Sequence, residues 1–502
     1  VVSLGGFLFG FDAGIISGVM SYVGPEFALN ELQSGWVVSS PSFAAMIAML
    51  IAGKLSDIIG RKKILIIVAF LYAVSAYLSA IAVSYEMLYI ARMIGGLAFG
   101  AALILAPAYI AEISSAENRG KLVSLQQLNI VFGFFAAFLS NYYFNKTNGS
   151  EDTFLTDENV WRWMLGVELI PAMLYFIFMF FVPRSPRWLF NKNLTEEAKR
   201  ILNNIYGKEV AQKELKAMQN ADHSNDGKSS FKALFSPALR YIILIGLTIG
   251  ILQQITGINA IYFYATSIFK QTGIGTDASF SSGVLLSFTT VIFTFAAIFL
   301  IDKMGRRPLL VFGMAGIAIS LLTCAYGFHN ATYLLSEEKV NNVELKGIGI
   351  QDLEAVMSIM YEDDLAFKAA MKSTLGTEVY AKNEGAILEA ATDMNATLVL
   401  IGILGFIACF AFSLGPVMWV LLSELYPIRI RGMAIGAIGF VNSFTSWLIQ
   451  QIFPWELSTL GNALTFFIFG AIATIGFFIM YKTLPETKGK TLEELELEMI
   501  NK

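Results

Sequence analysis

Twelve stretches of this chain run apolar for roughly twenty residues each, enough for a helix to cross about 30 Å of hydrocarbon. They fall at about 1–22, 35–53, 64–84, 88–111, 121–143, 163–182, 239–269, 281–301, 309–328, 397–422, 432–453 and 461–481. A lipid interior leaves every backbone amide to be satisfied within the protein, so runs of this length predict helices. Of the 502 residues, 56% are hydrophobic and only 15% charged, which excludes an ordinary soluble domain and a disordered chain. The predicted fold is all-α: a polytopic protein whose main partner is the lipid bilayer. A net charge of −4 argues against a nucleic-acid partner. The opening run carries Asp12 and no basic leader, which speaks against a signal peptide. Cys324 and Cys409 both lie in apolar runs and read as small buried hydrophobes rather than a disulfide framework.

The runs form two sets of six. Residues 1–182 make the first set, 183–238 a polar, helix-forming linker, 239–482 the second set, and 483–502 a tail. Lysine and arginine crowd alternate connections: Lys54 with Arg61 to Lys63, Arg119 with Lys121, Lys303 with Arg306 and Arg307, and Arg429 with Arg431. The intervening connections 23–34, 85–87 and 454–460 have none, so both termini and the linker are predicted cytoplasmic. Trp161, Trp163 and Trp455 read as interfacial anchors. The sets repeat one another. Asp57 to Arg61 answers Asp302 to Arg306, and Glu112 to Arg119 answers Glu424 to Arg431. The second set is longer by about the length of the polar stretch 329–396, an acid-rich insertion predicted to lie outside the cytoplasm. Within it, Gln351 to Lys372 reads as one or two short helices. Repeated halves of this kind suit a carrier that opens alternately to each side.

Two polar features sit where lipid should forbid them. The seventh run contains Gln253-Gln254-Ile255-Thr256-Gly257-Ile258-Asn259, followed by Tyr262 and Tyr264. Amides both donate and accept, and aromatic faces cover C–H surface, so the patch suits a neutral solute with many hydroxyls. The plainer reading is an amide clamp between helices; residue chemistry leaves both open. Gly257 allows a bend between the amides. The second feature is Asp12, beside Phe9, Gly10 and Phe11 in the first run. A carboxylate there is costly unless paired, and Arg92 in the fourth run is the candidate partner. The pair reads either as a proton-binding site or as a permanent tie.

An ordered set of motifs accompanies these features: Gly53 to Lys62, Arg92 with Gly95-Gly96, Pro107 to Glu112, Arg119-Gly120, Pro183 to Leu189, Gln253 to Asn259, Asp302 to Pro308, Gly415 to Glu424, and Pro485 to Leu492. On these the chain resembles the sugar porter family of the major facilitator superfamily over nearly its whole length, and among its members the proton-coupled xylose and hexose symporters. The resemblance implies twelve transmembrane helices in two pseudo-symmetric halves. It also implies a monosaccharide and a proton as the transported partners, a plasma-membrane location and a monomer. By the same resemblance Phe9, Gln127, Gln253, Gln254, Asn259, Trp419 and Asn442 are sugar contacts. Asp12 with Arg92 is the proton-coupling pair, and facilitative members generally lack the aspartate. Three positions depart from the family: Phe263 replaces a tyrosine, Ser443 stands where many members have a tryptophan, and Arg184 replaces a glutamate.

The implied cycle has Asp12 take a proton from outside and loosen its hold on Arg92; sugar then binds, and the proton leaves inward. Asp57 with Arg61, Glu112 with Arg119, Asp302 with Arg306, and Glu424 with Arg431 are candidate cytoplasmic gate pairs, against a plainer reading as topology charges. Two isolated histidines offer no metal site, and no phosphate-binding loop or nucleophile elbow is present. No cofactor and no enzymatic activity are expected. Beside the symporter stand a facilitative uniporter, with Asp12 purely structural, and a non-transporting sugar sensor.

Overall fold

A computed structural model describes residues 1–114, 119–150, 153–213, 215, 239–426 and 430–488. Long helices dominate it. The first five spans are Leu4–Glu26, Glu31–Ile59, Arg61–Ala80, Tyr85–Ile113 and Arg119–Thr147. The sixth is broken into Val160–Gly166 and Leu169–Met179. The seventh comes in three pieces, Arg240–Ile255, Ile258–Phe263 and Ala265–Lys270. The eighth and ninth are Thr276–Met304 and Arg306–His329, and the tenth is Ala396–Phe412 with Leu414–Leu425. The last two form one helical stretch, Arg431–Thr483, interrupted at Gly461, whose φ of 77° is left-handed. With that break the described helices supply twelve spans.

Local chemistry sets several boundaries. Ser84 caps the fourth span by accepting from the Met87 amide at 3.2 Å, and Asn395 caps the tenth by accepting from Leu398 at 3.0 Å. Gly60 and Gly305 precede the third and ninth spans with φ of 100° and 93°, so each basic loop turns on a residue without a side chain.

The contacts divide the chain into two compact units that do not follow the sequence halves. Unit 1 comprises Val1–Asp12, Ser40–Phe134 and Leu165–Phe235; unit 2 comprises Ala13–Ser39, Phe135–Met164 and Ser236–Lys502. In unit 1 backbones approach closely over glycine. A Cβ on Gly10 would stand 1.9 Å from the Ile130 carbonyl oxygen, and one on Gly133 2.1 Å from that of Phe7, so the first and fifth spans can pack this closely only without side chains there. Part of the linker folds as Pro186–Asn191 and Thr195–Tyr206 around Leu202, Ala211 and Leu215. The rest of the expected helix from Val210 to Met218 lies outside the described residues, apart from 210–213 and 215.

In unit 2 the ends of the first and fifth spans farther from the basic loops pack on second-set helices. Ser17 Oγ meets Thr266 Oγ1 at 3.0 Å, and Asn145 Nδ2 donates to Asp277 at 2.7 Å. The insertion is a small subdomain with its own core of Tyr333, Leu353, Phe367, Met371, Tyr380 and Ile387. Its helical elements are Glu337–Val340, a 3-10 turn at Ile350–Leu353, Asp364–Leu375 and Thr377–Ala391; the second and third overlap the expected 351–372, and the last lies beyond it. Three strands of two or three residues, β1 (Thr332–Leu334), β2 (Met360–Tyr361) and β3 (Thr392–Asp393), pair antiparallel in the order β2-β1-β3. Asp364 anchors it by accepting from Asn462 Nδ2 at 2.9 Å and from the Asn462 amide at 3.3 Å, beside the Gly461 break.

One interfacial expectation is corrected. Trp163 and Trp455 are half-exposed, but Trp161 is completely buried and donates from Nε1 to Glu26 at 2.5 Å. An indole with an acid beside it is satisfied inside protein and needs no headgroup layer.

Candidate functional site

The seventh span breaks at the amide motif. Arg240–Ile255 ends just past Gln253 and Gln254, Gly257 turns left-handed at φ 86°, and Ile258–Phe263 begins again with Asn259. A Cβ on Gly257 would meet the Phe469 ring at 2.7 Å, so this position must be glycine on two counts. The break brings the amides together although helical spacing alone would spread them. Gln254 Oε1 accepts from Asn259 Nδ2 at 2.9 Å, and Gln254 Nε2 donates to Asn442 at 3.3 Å. Gln253 Nε2 donates to the Leu414 carbonyl at 2.9 Å, and its Oε1 accepts from Asn442 Nδ2 at 2.8 Å. Gln253 thus ties the seventh, tenth and eleventh spans, as the clamp reading requires. Asn259 is half-buried, at the accessible end of the cluster, and donates to Ser446 Oγ at 2.6 Å. Tyr262 and Tyr264 are committed to Thr290 and to the Gln450 carbonyl. Trp419 is 43% exposed, a large ring left open.

Two members of this cluster were not anticipated. Ser446 and Gln450 follow Asn442 at successive helical turns on the eleventh span, and Gln450 Nε2 donates to Ser446 Oγ at 2.8 Å. That i, i+4, i+8 polar stripe is the sequence signal that would have found them. The other candidate sugar contacts belong to unit 1. Gln127 is exposed on the fifth span, next to the buried Gln126, and Phe9 packs on Phe99 with ring centroids 4.8 Å apart.

Unit 1 also holds the charged pair. Arg92 Nη1 donates to Asp12 Oδ1 at 3.2 Å, with Arg92 2% and Asp12 6% exposed. A third titratable group lies in their electrostatic neighbourhood: Glu168, 4% exposed at the break in the sixth span. Its signal was a lone acid within the sixth apolar run, the same signal that singled out Asp12.

The basic loops keep the expected Asp57–Arg61 pair and are otherwise cross-linked differently. Arg61 reaches Glu112 at 3.3 Å and also pairs with Asp57. Arg306 grips Glu424, its Nη2 at 2.8 Å and its Nε 3.2 Å from both oxygens. Glu424 therefore pairs with Arg306 and not with Arg431, whose Nε donates to the Tyr426 carbonyl at 3.1 Å. The reason is reach: the glycine turn lays Arg306 against the end of the tenth span, whereas Arg431 is drawn to the nearby carbonyl. The side chains of Arg119 and Asp302 lie outside the described residues. No group of three or more histidines, cysteines or acids able to hold a metal occurs among the described residues.

Residues 1–357 and 367–498 match the sugar (and other) transporter family. The chain belongs to that family. It is 33% identical to the arabinose-proton symporter of Bacillus subtilis, across 98% of this chain and 92% of that one. It is 32% identical to the D-xylose-proton symporter of Escherichia coli, over 99% of this chain and 94% of that one. The inward-open structure of the Escherichia coli xylose transporter matches 99% of this chain and 98% of its own length, with a TM-score of 0.75 and 28% identity. The protein is therefore a multi-pass membrane carrier of the major facilitator fold, in a family of transporters rather than enzymes.

Proposed function

We propose that this protein imports a monosaccharide, a pentose or a hexose, together with a proton, by exposing one binding site in turn to each side of the bacterial plasma membrane. The observation that carries the reading is the buried Asp12–Arg92 pair. A carboxylate inside a span is held charged only by its arginine, so it can accept a proton when that contact loosens. Arabinose-proton and xylose-proton symporters among the relatives support the coupling. Gln127, Gln253, Gln254, Asn259, Asn442, Trp419 and Phe9 are proposed as sugar contacts, with Gln127, Asn259 and Trp419 accessible and Gln253 holding the frame. The proposed orientation puts the basic loops, both termini and the linker in the cytoplasm, as the alternation of lysine and arginine supports. Arg61 with Asp57 and Glu112, and Arg306 with Glu424, are proposed to fasten the cytoplasmic side while the site faces out; Arg119, Asp302 and Arg431 belong to the same loops.

The test is Asp12→Asn in proteoliposomes. Exchange of labelled sugar should persist while accumulation driven by a pH gradient is lost. Accumulation at the wild-type level by that variant would make Asp12 a structural tie and the protein a uniporter. Absence of exchange in the wild type would leave the sensor reading.

A further inference from the structure

Unit 1 contains a buried polar column that the sugar contacts do not use. Asp12, Arg92 and Glu168 form one end. Seven residues before Asp12 on the first span lies Gly5, and seven residues after Glu168 on the sixth lies Tyr175. Seven residues is about two turns, so each pair shares a helix face across about 10 Å of depth. The two helices run in opposite senses, and their far ends meet again. The Tyr175 hydroxyl lies 3.2 Å from where a Cβ on Gly5 would stand. From the third span, the Tyr72 hydroxyl donates to the Gly5 carbonyl at 3.1 Å. Two phenols thus converge on Gly5, on the basic-loop side of the carboxyls.

The column continues past Gly5. Gln126 is 4% exposed and lies against Gly6. Just before the start of the first span, Asn129 donates to Ser3 Oγ at 2.7 Å. Two polar atoms along this line, the hydroxyl of the fully buried Tyr175 and Gln126 Oε1, have no hydrogen-bond partner among the described residues. Buried groups of this kind are seldom left unsatisfied in a settled core. A phenol can donate and accept at once, which suits a chain of proton carriers better than a fixed contact.

We propose that this column is the route by which the coupled proton leaves Asp12 for the cytoplasm, with the Tyr72 and Tyr175 hydroxyls as its relay. The proposal rests on the proton-coupled reading above and adds the path. The protonated Asp12 carboxyl gives its proton to hydrogen-bonded water. Each phenol oxygen takes up one proton as it passes its own hydroxyl proton onward, so neither tyrosine gains or loses net charge. The proton ends in bulk water beyond Ser3, and the Asp12 carboxylate closes again on Arg92. The route runs inside unit 1 and needs no group from the amide cluster.

Proteoliposomes with a trapped pH dye test it, using Tyr175→Phe, which removes one oxygen and keeps the ring. Sugar counterflow at equal pH should stay at the wild-type rate. The initial rate of sugar-coupled proton movement should fall about tenfold or more. Final accumulation should be unchanged, because a relay sets rate and not stoichiometry. Tyr72→Phe should act in the same direction. Proton movement at the wild-type rate in both variants would overturn the relay. So would a parallel loss of counterflow in both, since that marks packing. If the wild type itself moves no proton with sugar, the coupling reading falls and the relay with it; the wild-type trace alone makes that failure distinct.

Discussion

The same joint is built twice in this chain, once in each repeat, and the two copies are held differently. In both, a glycine with positive φ turns the basic loop, an arginine reaches the glutamate ending a neighbouring span, and a buried hydroxyl bonds that glutamate. Ser185 donates to Glu112 at 2.5 Å in the first copy, and Thr487 to Glu424 at 2.6 Å in the second. Pro183-Arg184-Ser185 and Pro485-Glu486-Thr487 are thus equivalent segments, each following a six-span set. They differ at the middle residue. Glu486 accepts from the amides of Arg306 and Arg307 at 3.1 and 3.2 Å, a carboxylate at a helix N-terminus. Arg184 cannot do this and points to Glu197 at 3.3 Å. The first copy is closed by Trp188 instead, whose ring would lie 3.3 Å from a Cβ on Gly60 and whose Nε1 donates to the Asp57 carbonyl at 3.0 Å. One backbone joint can be sealed by charge or by an aromatic ring, and the seal sets what disturbs it.

The largest difference should appear on removing the arginines. Arg306 makes three short contacts to Glu424, with side-chain exposures of 15% and 24%. Arg61 makes one contact to Glu112 at 3.3 Å and shares itself with Asp57. Arg306→Ala should cost about 2 kcal/mol and Arg61→Ala about 1 kcal/mol, on the scale of charge-assisted bonds partly open to solvent. Thermal unfolding of the purified protein in detergent reads both. A larger loss for Arg61→Ala would reverse the comparison.

Next in size is Glu486→Gln, which keeps an acceptor at the ninth span and removes the charge. A loss of about 0.5–1 kcal/mol is expected at low ionic strength, shrinking as salt is raised past a few hundred millimolar. Trp188→Phe should cost a similar amount with no salt dependence, because a neutral N–H···O bond and ring contact are lost. Equal salt slopes for the two variants would show that charge does not distinguish the joints.

How much of this could be read from the residues alone depends on the kind of signal each position carries. The spans were legible because hydrophobic length is a local property. Asp12 and the Gln253–Asn259 motif stood out because lipid tolerates neither acid nor amide cheaply. Ser446 did not, since a hydroxyl inside a helix can satisfy itself on its own turn, as Thr445 does on the Val441 carbonyl at 2.9 Å; the amides of Asn259 and Gln450, both donating to its Oγ, make Ser446 different. The loop charges were legible as a set but not as pairs: the sequence offers Glu424 basic residues on several loops, and the turn at Gly305 brings Arg306 to it. Glu486 was hidden in a tail motif whose partner amides lie 180 and 179 residues away. The insertion strands were invisible because two- and three-residue strands carry no period.

The smallest effect is expected from making the two copies alike. Arg184→Glu places in the first joint the residue that the second one uses. A cap on the Arg61 and Lys62 amides would then stabilise the third span by about 0.5 kcal/mol. Against it stands loss of the exposed Arg184–Glu197 pair, worth about 0.2–1 kcal/mol, and a new like-charge contact with Glu197. The two nearly cancel, so the single variant should unfold close to the wild type. In a Glu197→Ala background the opposing term vanishes, and Arg184→Glu should then raise the unfolding temperature. A lower one in that background would mean that Trp188 already fills the place where the carboxylate must go. The two seals would then be mutually exclusive, and the arginine in the first copy would follow from the tryptophan beside it.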